Sequence, residues 1–184
     1  MRVGMLIVTI SSVLALPAYA NDCASGKSMG DRMPLKVRLV PLKHIFRSGQ
    51  PIVVNLSIRN ETNKPLFVSR LAGKDFIDIH LSGPGENKEV RWVGKGKIDS
   101  KAYSPSEFTV LKAGEETTAS RTISTKAGEG FVIEKQGKYF IRATYSLGPS
   151  EYFAPMAGDA KIPQGCFESA PTTFCLDSCN ASDK

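Results

Sequence analysis

Hydrophobic and polar residues alternate with a period of two along much of this chain. The clearest case is residues 52–59, where Val54, Leu56 and Ile58 alternate with Asn, Ser and Arg. A period of two places the apolar side chains on one face of a β-strand, so the pattern predicts a half-buried strand. Similar patterns predict further strands at residues 35–41, 66–69, 76–81, 89–93, 108–111, 117–123, 137–145 and 172–176.

Turn-forming sequences separate these strands. Gly, Pro, Asn and Ser cluster at residues 48–51, 60–65 and 82–87, and each of these residue types favours a turn conformation. Residues 125–135 fit a helical turn or a loop, and their glycines favour the loop. Short strands spaced by turns, without any amphipathic helix, predict an all-β fold, specifically an antiparallel β-sandwich.

The first twenty residues follow a different pattern. Arg2 precedes an apolar run over residues 3–16, and Ala18 and Ala20 supply small residues at a cleavage site. This pattern is typical of a secretory signal peptide, so we expect a mature chain that starts at Asn21 and is periplasmic or secreted. The alternative is an uncleaved membrane anchor. No later apolar segment approaches membrane-spanning length, so no membrane insertion is expected after cleavage.

The length after cleavage fits one domain. Removal of residues 1–20 from the 184 leaves 164, enough for a substantial hydrophobic core. We expect an N-terminal tail at 21–33, the sandwich domain at 34–177 and a C-terminal tail at 178–184. The formal net charge is +6, but the basic residues are scattered and lack interleaved aromatic residues, so no nucleic-acid partner is expected.

The four cysteines are disulfide candidates because the expected compartment is oxidising. They are Cys23, Cys166, Cys175 and Cys179. The spacing of the last two also lies within the range of zinc knuckles, but secretion favours two disulfides over a metal site. Three pairings are possible. We favour a bond from Cys23 to one of the other three, because the chain ends of a sandwich commonly approach each other. The fold would then be stapled near its termini.

The sequence offers few groups for catalysis. His44 and His80 are the two histidines, and neither lies near a recognisable nucleophile or paired acidic motif. Nucleophile-elbow and phosphate-binding motifs are absent from the sequence. We therefore expect no catalytic, cofactor or metal site. A hydrolase that uses Asp75, Asp78 or Glu89 is the alternative, although surface solvation also explains these carboxylates.

A long irregular segment, residues 147–164, is the first candidate for function. Loops of this length in compact domains tend to be functional or poorly ordered. The turn at residues 60–65 is expected at the same end of the sandwich, where loops form one surface. Apolar side chains there resemble interface anchors, or they cap the sandwich. The candidate protein-binding residues are Asn60, Glu61, Tyr152, Phe153 and Met156.

Three segments carry a resemblance to known families, at residues 56–66, 110–115 and 137–143. They resemble the immunoglobulin-like domain of bacterial intracellular proteinase inhibitors and the non-catalytic immunoglobulin-like segment of deuterolysin-type metallopeptidases. The resemblance covers most of the mature chain and implies an immunoglobulin-like β-sandwich, with Tyr139 as a tyrosine corner bonded to upstream backbone. The His-Glu-x-x-His motif of the peptidases is absent from the sequence, and the cysteines after residue 165 are extra to both families.

Together these features predict a secreted or periplasmic non-catalytic module that binds another protein, either a peptidase or an envelope component. Peptidase inhibition, or an accessory role, is what the resemblance implies. The alternatives are the hydrolase and a structural component of an envelope assembly, in which an unpaired sheet edge accepts a strand from a neighbour.

Overall fold

The computed structural model describes residues 33–71, 76–84, 92–93, 104–126, 129–131, 133, 135–147 and 153–179. The predicted signal peptide, most of the N-terminal tail and residues 180–184 lie outside these ranges. Their boundaries therefore stay predictions.

Nearly all regular structure in the described residues is β-strand. One α-helix, α1, spans Ala154–Ala157, and a single 3-10 turn spans Pro105–Glu107. The strands are β1 (Leu35–Pro41), β2 (Ile45–Phe46), β3 (Ile52–Asn60), β4 (Leu66–Ser69), β5 (Ile77–Ser82), β6 (Trp92–Val93), β7 (Phe108–Leu111), β8 (Glu116–Ile123), β9 (Thr125–Lys126), β10 (Glu129–Phe131), β11 (Gly137–Tyr145), β12 (Phe167–Glu168) and β13 (Thr172–Leu176). The predicted all-β class is confirmed for this part of the chain, which contains no helix long and apolar enough to cross a membrane.

The first sheet has the order β1-β3-β8, and both of its pairings are antiparallel. Leu39 lies opposite Leu56, which in turn lies opposite Ala119. The alternation predicted for β1 and β3 holds, because every second side chain of both strands is buried. This sheet therefore presents one apolar face to the core and one polar face to solvent.

The second sheet is built around β11. β5 pairs along one edge of β11, while β13 and β12 pair along the first and second halves of the other edge. These pairings are antiparallel, but β13 also pairs with β2 in parallel. The prediction of a purely antiparallel arrangement is therefore wrong at this edge. A two-residue strand carries no periodic pattern, so β2 could not be recognised in the sequence.

Two smaller sets of strands complete the structure. β4 pairs with β7, and β10 pairs with β6 and β9, in each case antiparallel. The last pairing corrects the expectation of a loop at residues 125–135. Phe131 is buried, and its N–H donates to the carbonyl oxygen of Ser124 at 3.1 Å. Burial of this ring and the backbone bond hold two short paired strands where the glycines suggested irregular chain.

The two larger sheets share one hydrophobic core. Tyr139 stacks on Phe174 with 5.4 Å between ring centroids, and Phe46 meets the same ring edge-on at 5.6 Å. The Tyr139 hydroxyl donates to the carbonyl oxygen of Lys135 at 2.5 Å. This is the upstream backbone bond that the resemblance implies for Tyr139. Burial raises the pKa of Tyr139.

Candidate protein-binding surface

The turn at residues 60–65 and the described part of the segment at residues 147–164 were predicted to share one end of the molecule. They lie next to each other. The N–H of Lys161 donates to the carbonyl oxygen of Pro65 at 3.0 Å, and the N–H of Phe67 donates back to Lys161 at 2.9 Å. These two bonds join the turn at residues 60–65 to the segment that contains α1. The combined region, residues 60–65 and 153–162, is called the loop end below.

The two described apolar candidates of the loop end, Phe153 and Met156, pack against the core. Phe153 is 3% exposed, and its ring lies 5.3 Å from that of Phe108 and 5.9 Å from that of Phe76. Met156 is half-buried and packs against the same core. Phe153 therefore caps the core, which is the alternative considered for the apolar side chains of this segment. Tyr152 lies outside the described residues.

Asn60 is also structural, because its side chain is fully buried. Its Nδ2 donates to the carbonyl oxygens of Lys64, Leu111 and Lys112 at 2.8 to 3.1 Å. Its Oδ1 accepts from the N–H and the hydroxyl of Thr62 at 2.8 and 2.7 Å. A side chain with all of its hydrogen-bonding capacity used in this way closes the turn and joins it to the end of β7. The described role of Asn60 is therefore structural, and a role in partner contact stays a prediction.

Glu61 is the one candidate of the loop end that the structure places at the surface. Its side chain is 39% exposed and lies 3.4 Å from the guanidinium of Arg59, which is 47% exposed. An ion pair this exposed contributes little to stability. Glu61 therefore stays a candidate contact residue.

The cysteines are bonded. Cys175 and Cys179 form a disulfide with 5.6 Å between their Cα atoms, and Cys166 is disulfide-bonded as well. Cys23 lies outside the described residues, so the favoured pairing of Cys23 stays a prediction. The bond between Cys175 and Cys179 removes both sulfurs as thiolate ligands. Within the described ranges, no three His, Cys, Asp or Glu side chains cluster closely enough to hold a metal ion.

A second link fixes the chain beside this disulfide. Asp177 has a positive φ of 62°, which turns its carboxylate toward the turn between β2 and β3. One carboxylate oxygen accepts from the N–H of Ser48 at 2.8 Å, and the other accepts from the Ser48 hydroxyl. These two bonds lower the pKa of Asp177, since they stabilise its charged form.

The outer face of the second sheet carries an exposed aromatic ring. Phe140 of β11 is 45% exposed and lies opposite Ser82 of β5 and Thr173 of β13. Directly paired residues of neighbouring strands project from the same face. The surface around this ring, called the Phe140 face below, comprises Ile45, His80, Lys138, Phe140, Arg142 and Glu168.

Contacts along the sheet orient the polar residues around Phe140. The Nζ of Lys138 lies 5.6 Å from the centroid of the Phe140 ring, within the range of a cation–π interaction. Arg142 pairs with Glu168 at 3.0 Å, and His80 Nε2 lies 3.1 Å from the hydroxyl of Thr144. An apolar centre with a polar rim is the usual arrangement of a protein interface.

Phe140 was not among the predicted binding residues, although the alternation of β11 indicates that its side chain is exposed. Tyr139 and Ile141 belong to the apolar set of β11, so the residue between them must point to the opposite face. That face otherwise carries Lys138, Arg142 and Thr144. A large aromatic residue at a solvent-facing position of a clear period-two strand is the feature that would have identified this surface.

Of the three carboxylates named for the hydrolase alternative, Asp78 alone lies in the described residues. Asp78 is exposed on β5 and lies opposite Thr144, while Asp75 and Glu89 lie outside the described residues. The histidines occupy separate places. His80 belongs to the Phe140 face, and the carbonyl oxygen of His44 accepts from the N–H of Cys175 at 2.7 Å.

Comparisons with known proteins give distant structural similarity alone. No family model matches the chain, and no curated protein matches it. A β-glucosidase from Listeria innocua in complex with glucose has a TM-score of 0.41 at 12% identity, over 79% of this chain and 16% of that chain. An alkylpurine DNA glycosylase from Pseudomonas fluorescens bound to DNA has a TM-score of 0.40 at 10% identity, over 79% and 31%.

A further β-glucosidase, from Erythrobacter marinus, has a TM-score of 0.39 at 11% identity, over 77% of this chain and 15% of that chain. This chain therefore spans less than a third of each of these three structures. Similarity at this level carries no argument about function.

Proposed function

We propose that this protein is a periplasmic or secreted module that binds another protein through the Phe140 face and has no catalytic activity of its own. The observation that carries the proposal is the 45% exposure of Phe140 at the centre of a paired sheet. An exposed aromatic ring is unfavourable in water. Its burial against a partner is stabilising by about 25 cal/mol per Å² of apolar surface removed from water.

The architecture that we propose for the module is an immunoglobulin-like β-sandwich. β1 packs against β11, β12 and β13 across the core, which is consistent with two facing layers. The bond between the Tyr139 hydroxyl and the Lys135 carbonyl oxygen has the form of a tyrosine corner. The N-terminal sequence and the disulfide support the proposed location, since disulfides persist in oxidising compartments.

Rigidity favours the Phe140 face as a binding surface. β11 is hydrogen-bonded along both edges, to β5 on one side and to β12 and β13 on the other. A side chain on such a strand loses little backbone freedom when it is bound, so more of its contact energy appears as affinity. Aromatic residues and arginine are enriched in the interfaces of protein complexes, and Phe140 has Arg142 beside it.

The partner classes that we propose are a peptidase, for which this module is an inhibitor or accessory protein, and an envelope component. The second candidate function, a structural element of an envelope assembly, is favoured by one observation. β1 forms an edge of its sheet and pairs with β3 alone among the described strands. A free edge of this kind accepts an extended strand from a neighbouring chain.

Affinity capture with the mature chain as bait tests the proposal. The capture uses the periplasmic and extracellular fractions of the source organism, with the Phe140→Ala variant and a matched Val110→Ala control. Val110 is exposed to the same extent, 45%, but lies on β7. We expect Phe140→Ala to reduce recovery of the specific partner by at least about tenfold, the scale of an interface hot spot, and Val110→Ala to leave recovery unchanged.

Equal recovery of the same partner by both variants would exclude the Phe140 face. A hydrolase screen of the purified mature chain tests the non-catalytic part of the proposal. Turnover that is lost in Asp78→Asn would establish the hydrolase alternative instead.

A further inference from the structure

The structure contains an open groove on the side of the molecule formed by β1. One wall of the groove is β1 itself together with Met33, and the other wall is the chain from Glu168 to Thr172, around the interruption between β12 and β13. The groove has a volume of about 750 Å³. Both walls are chain edges, so an extended segment between them would find backbone partners as well as side-chain contacts.

The surface of this groove is partly apolar. Met33 is 62% exposed and Val40 is 55% exposed, and both line the groove. Lys36 and Arg38, the exposed residues of β1 between them, add positive charge, while Glu168 lies on the other wall. An apolar edge strand without a cover tends to pair with another chain, so native proteins usually cover such an edge.

Two described residues, Met33 and Cys166, limit the course of the chain that precedes residue 33. Met33 is the first described residue and lies in the groove, so the preceding residues start there. Cys166 is disulfide-bonded and stands two residues before Glu168 of the other wall. Because Cys175 and Cys179 bond to each other, the sequence leaves Cys23 alone as a partner for Cys166 within the chain.

We propose that residues 23–32 occupy this groove as an extended segment, held by a disulfide between Cys23 and Cys166. The length of the segment permits this course. Ten residues extend up to about 33 Å, whereas the seven-residue β1 is about 23 Å long. The segment consists largely of small residues, and Met29 is its one large apolar side chain. Small side chains suit a passage between two chain edges.

Attachment at both ends favours residues 23–32 over a separate partner molecule as the occupant of the groove. A segment fixed at both ends is present at a high effective concentration, which flexible linkers of this length bring into the millimolar range. The disulfide also closes a loop of more than a hundred residues, between positions 23 and 166. In the chain-entropy account such a closure destabilises the unfolded chain. The segment therefore covers the free edge of β1 and competes there with the strand addition on which the second candidate function depends.

Peptide mapping and hydrogen exchange on the mature chain test this proposal. Mapping of the non-reduced protein is expected to recover a peptide containing Cys23 linked to one containing Cys166. Exchange is then compared between the wild type, a Cys23→Ser/Cys166→Ser variant and a matched Cys175→Ser/Cys179→Ser control. We expect the free-edge amides of residues 36–40 to exchange at least about tenfold faster in the first variant, and at the wild-type rate in the control.

A second measurement applies if the first variant does not fold. A synthetic peptide of residues 21–32, with serine in place of Cys23, is titrated into the intact chain and into a Cys166→Ser chain that starts at residue 32. We expect binding to the shortened chain alone. Equal binding to both chains, a different partner for Cys166, or unchanged exchange in the first variant would overturn the proposal. A concentration-dependent dimer that protects residues 36–40 would overturn it as well, since the occupant would be a second copy.

Discussion

Phe153 and Phe140 are phenylalanines at positions where the periodic pattern does not require an apolar residue, yet their surroundings differ. Phe153 is 3% exposed at the loop end, and Phe140 is 45% exposed on its sheet. Phe153 belongs to an irregular segment that backbone bonds hold against β4, which allows its ring to turn inward. Phe140 stands between two buried residues of a continuous strand, so the geometry of the strand directs its ring to solvent.

The difference shows where apolar residues indicate a binding surface. In a loop, an apolar side chain is free to fold back onto the core, so its presence predicts packing as readily as exposure. In the middle of a paired strand, the neighbours fix its direction. An apolar residue on the polar side of a strand is therefore stronger support for an interface than an apolar cluster in a loop.

The largest effect that tests this comparison is on stability. We expect Phe153→Ala to lower the free energy of unfolding by about 3–5 kcal/mol, because it removes a buried ring that contacts two others. Phe140→Ala is expected to change it by less than about 0.5 kcal/mol, as at other solvent-facing positions. Chemical denaturation of the two variants and the wild type measures both values.

Equal destabilisation by the two substitutions would contradict the assignment of one ring to the core and the other to a surface. Tight partner binding by a folded Phe153→Ala variant, with loss of binding in Phe140→Ala, would strengthen it.

Much of the strand layout could be predicted from the sequence. The bounds expected at residues 35–41, 66–69, 108–111 and 172–176 match β1, β4, β7 and β13. In β1 one face lies in the core, so a period of two records its burial directly, whereas β4 is buried at all four positions and is marked by a short apolar run. The two-residue strands β2 and β12 are too short to show a period, and their positions are set by pairing with distant chain.

The candidate site is harder to predict than the strands, because the type of a residue does not give the direction of its side chain. Asn60 occurs in a turn sequence, where asparagine is expected at the surface. Its amide instead reaches three carbonyl oxygens, and two of these belong to residues 111 and 112. Contacts across fifty positions leave no local signal. The direction of Phe140, by contrast, was available from the alternation of β11.

Substitution of Asn60 gives the next largest effect and tests whether the loop end is structural in its polar residues too. Asn60→Ala is expected to cost about 2–3 kcal/mol of unfolding free energy, because it leaves buried carbonyl oxygens and the Thr62 N–H without their partner. Asn63→Ala is the matched control, since Asn63 is exposed in the same turn. Urea denaturation of both variants provides the values. A cost no larger than that of the control would contradict the structural role of Asn60.

The smallest of the three effects depends on pH and concerns Tyr145. This residue contacts β4, the strand against which the loop end packs. The Tyr145 hydroxyl accepts from the N–H of Ser69 at 2.9 Å, and burial raises the pKa of Tyr145 to about 12. The unfolded chain releases this proton near pH 10, so the native state holds more protons between pH 10 and 12. Stability is therefore fully present below pH 10 and decreases as the pH rises toward 12, by about 2 kcal/mol from this group.

Denaturation curves between pH 9 and 12 measure this decrease, and Tyr145→Phe isolates it from the titration of the lysines and other tyrosines. We expect the variant to start less stable by about 1–3 kcal/mol, because the buried Ser69 N–H loses its acceptor. Its stability should also fall less steeply with pH than that of the wild type. Identical slopes would mean that Tyr145 is open to solvent, and the region beneath the loop end would then be as accessible as the Phe140 face.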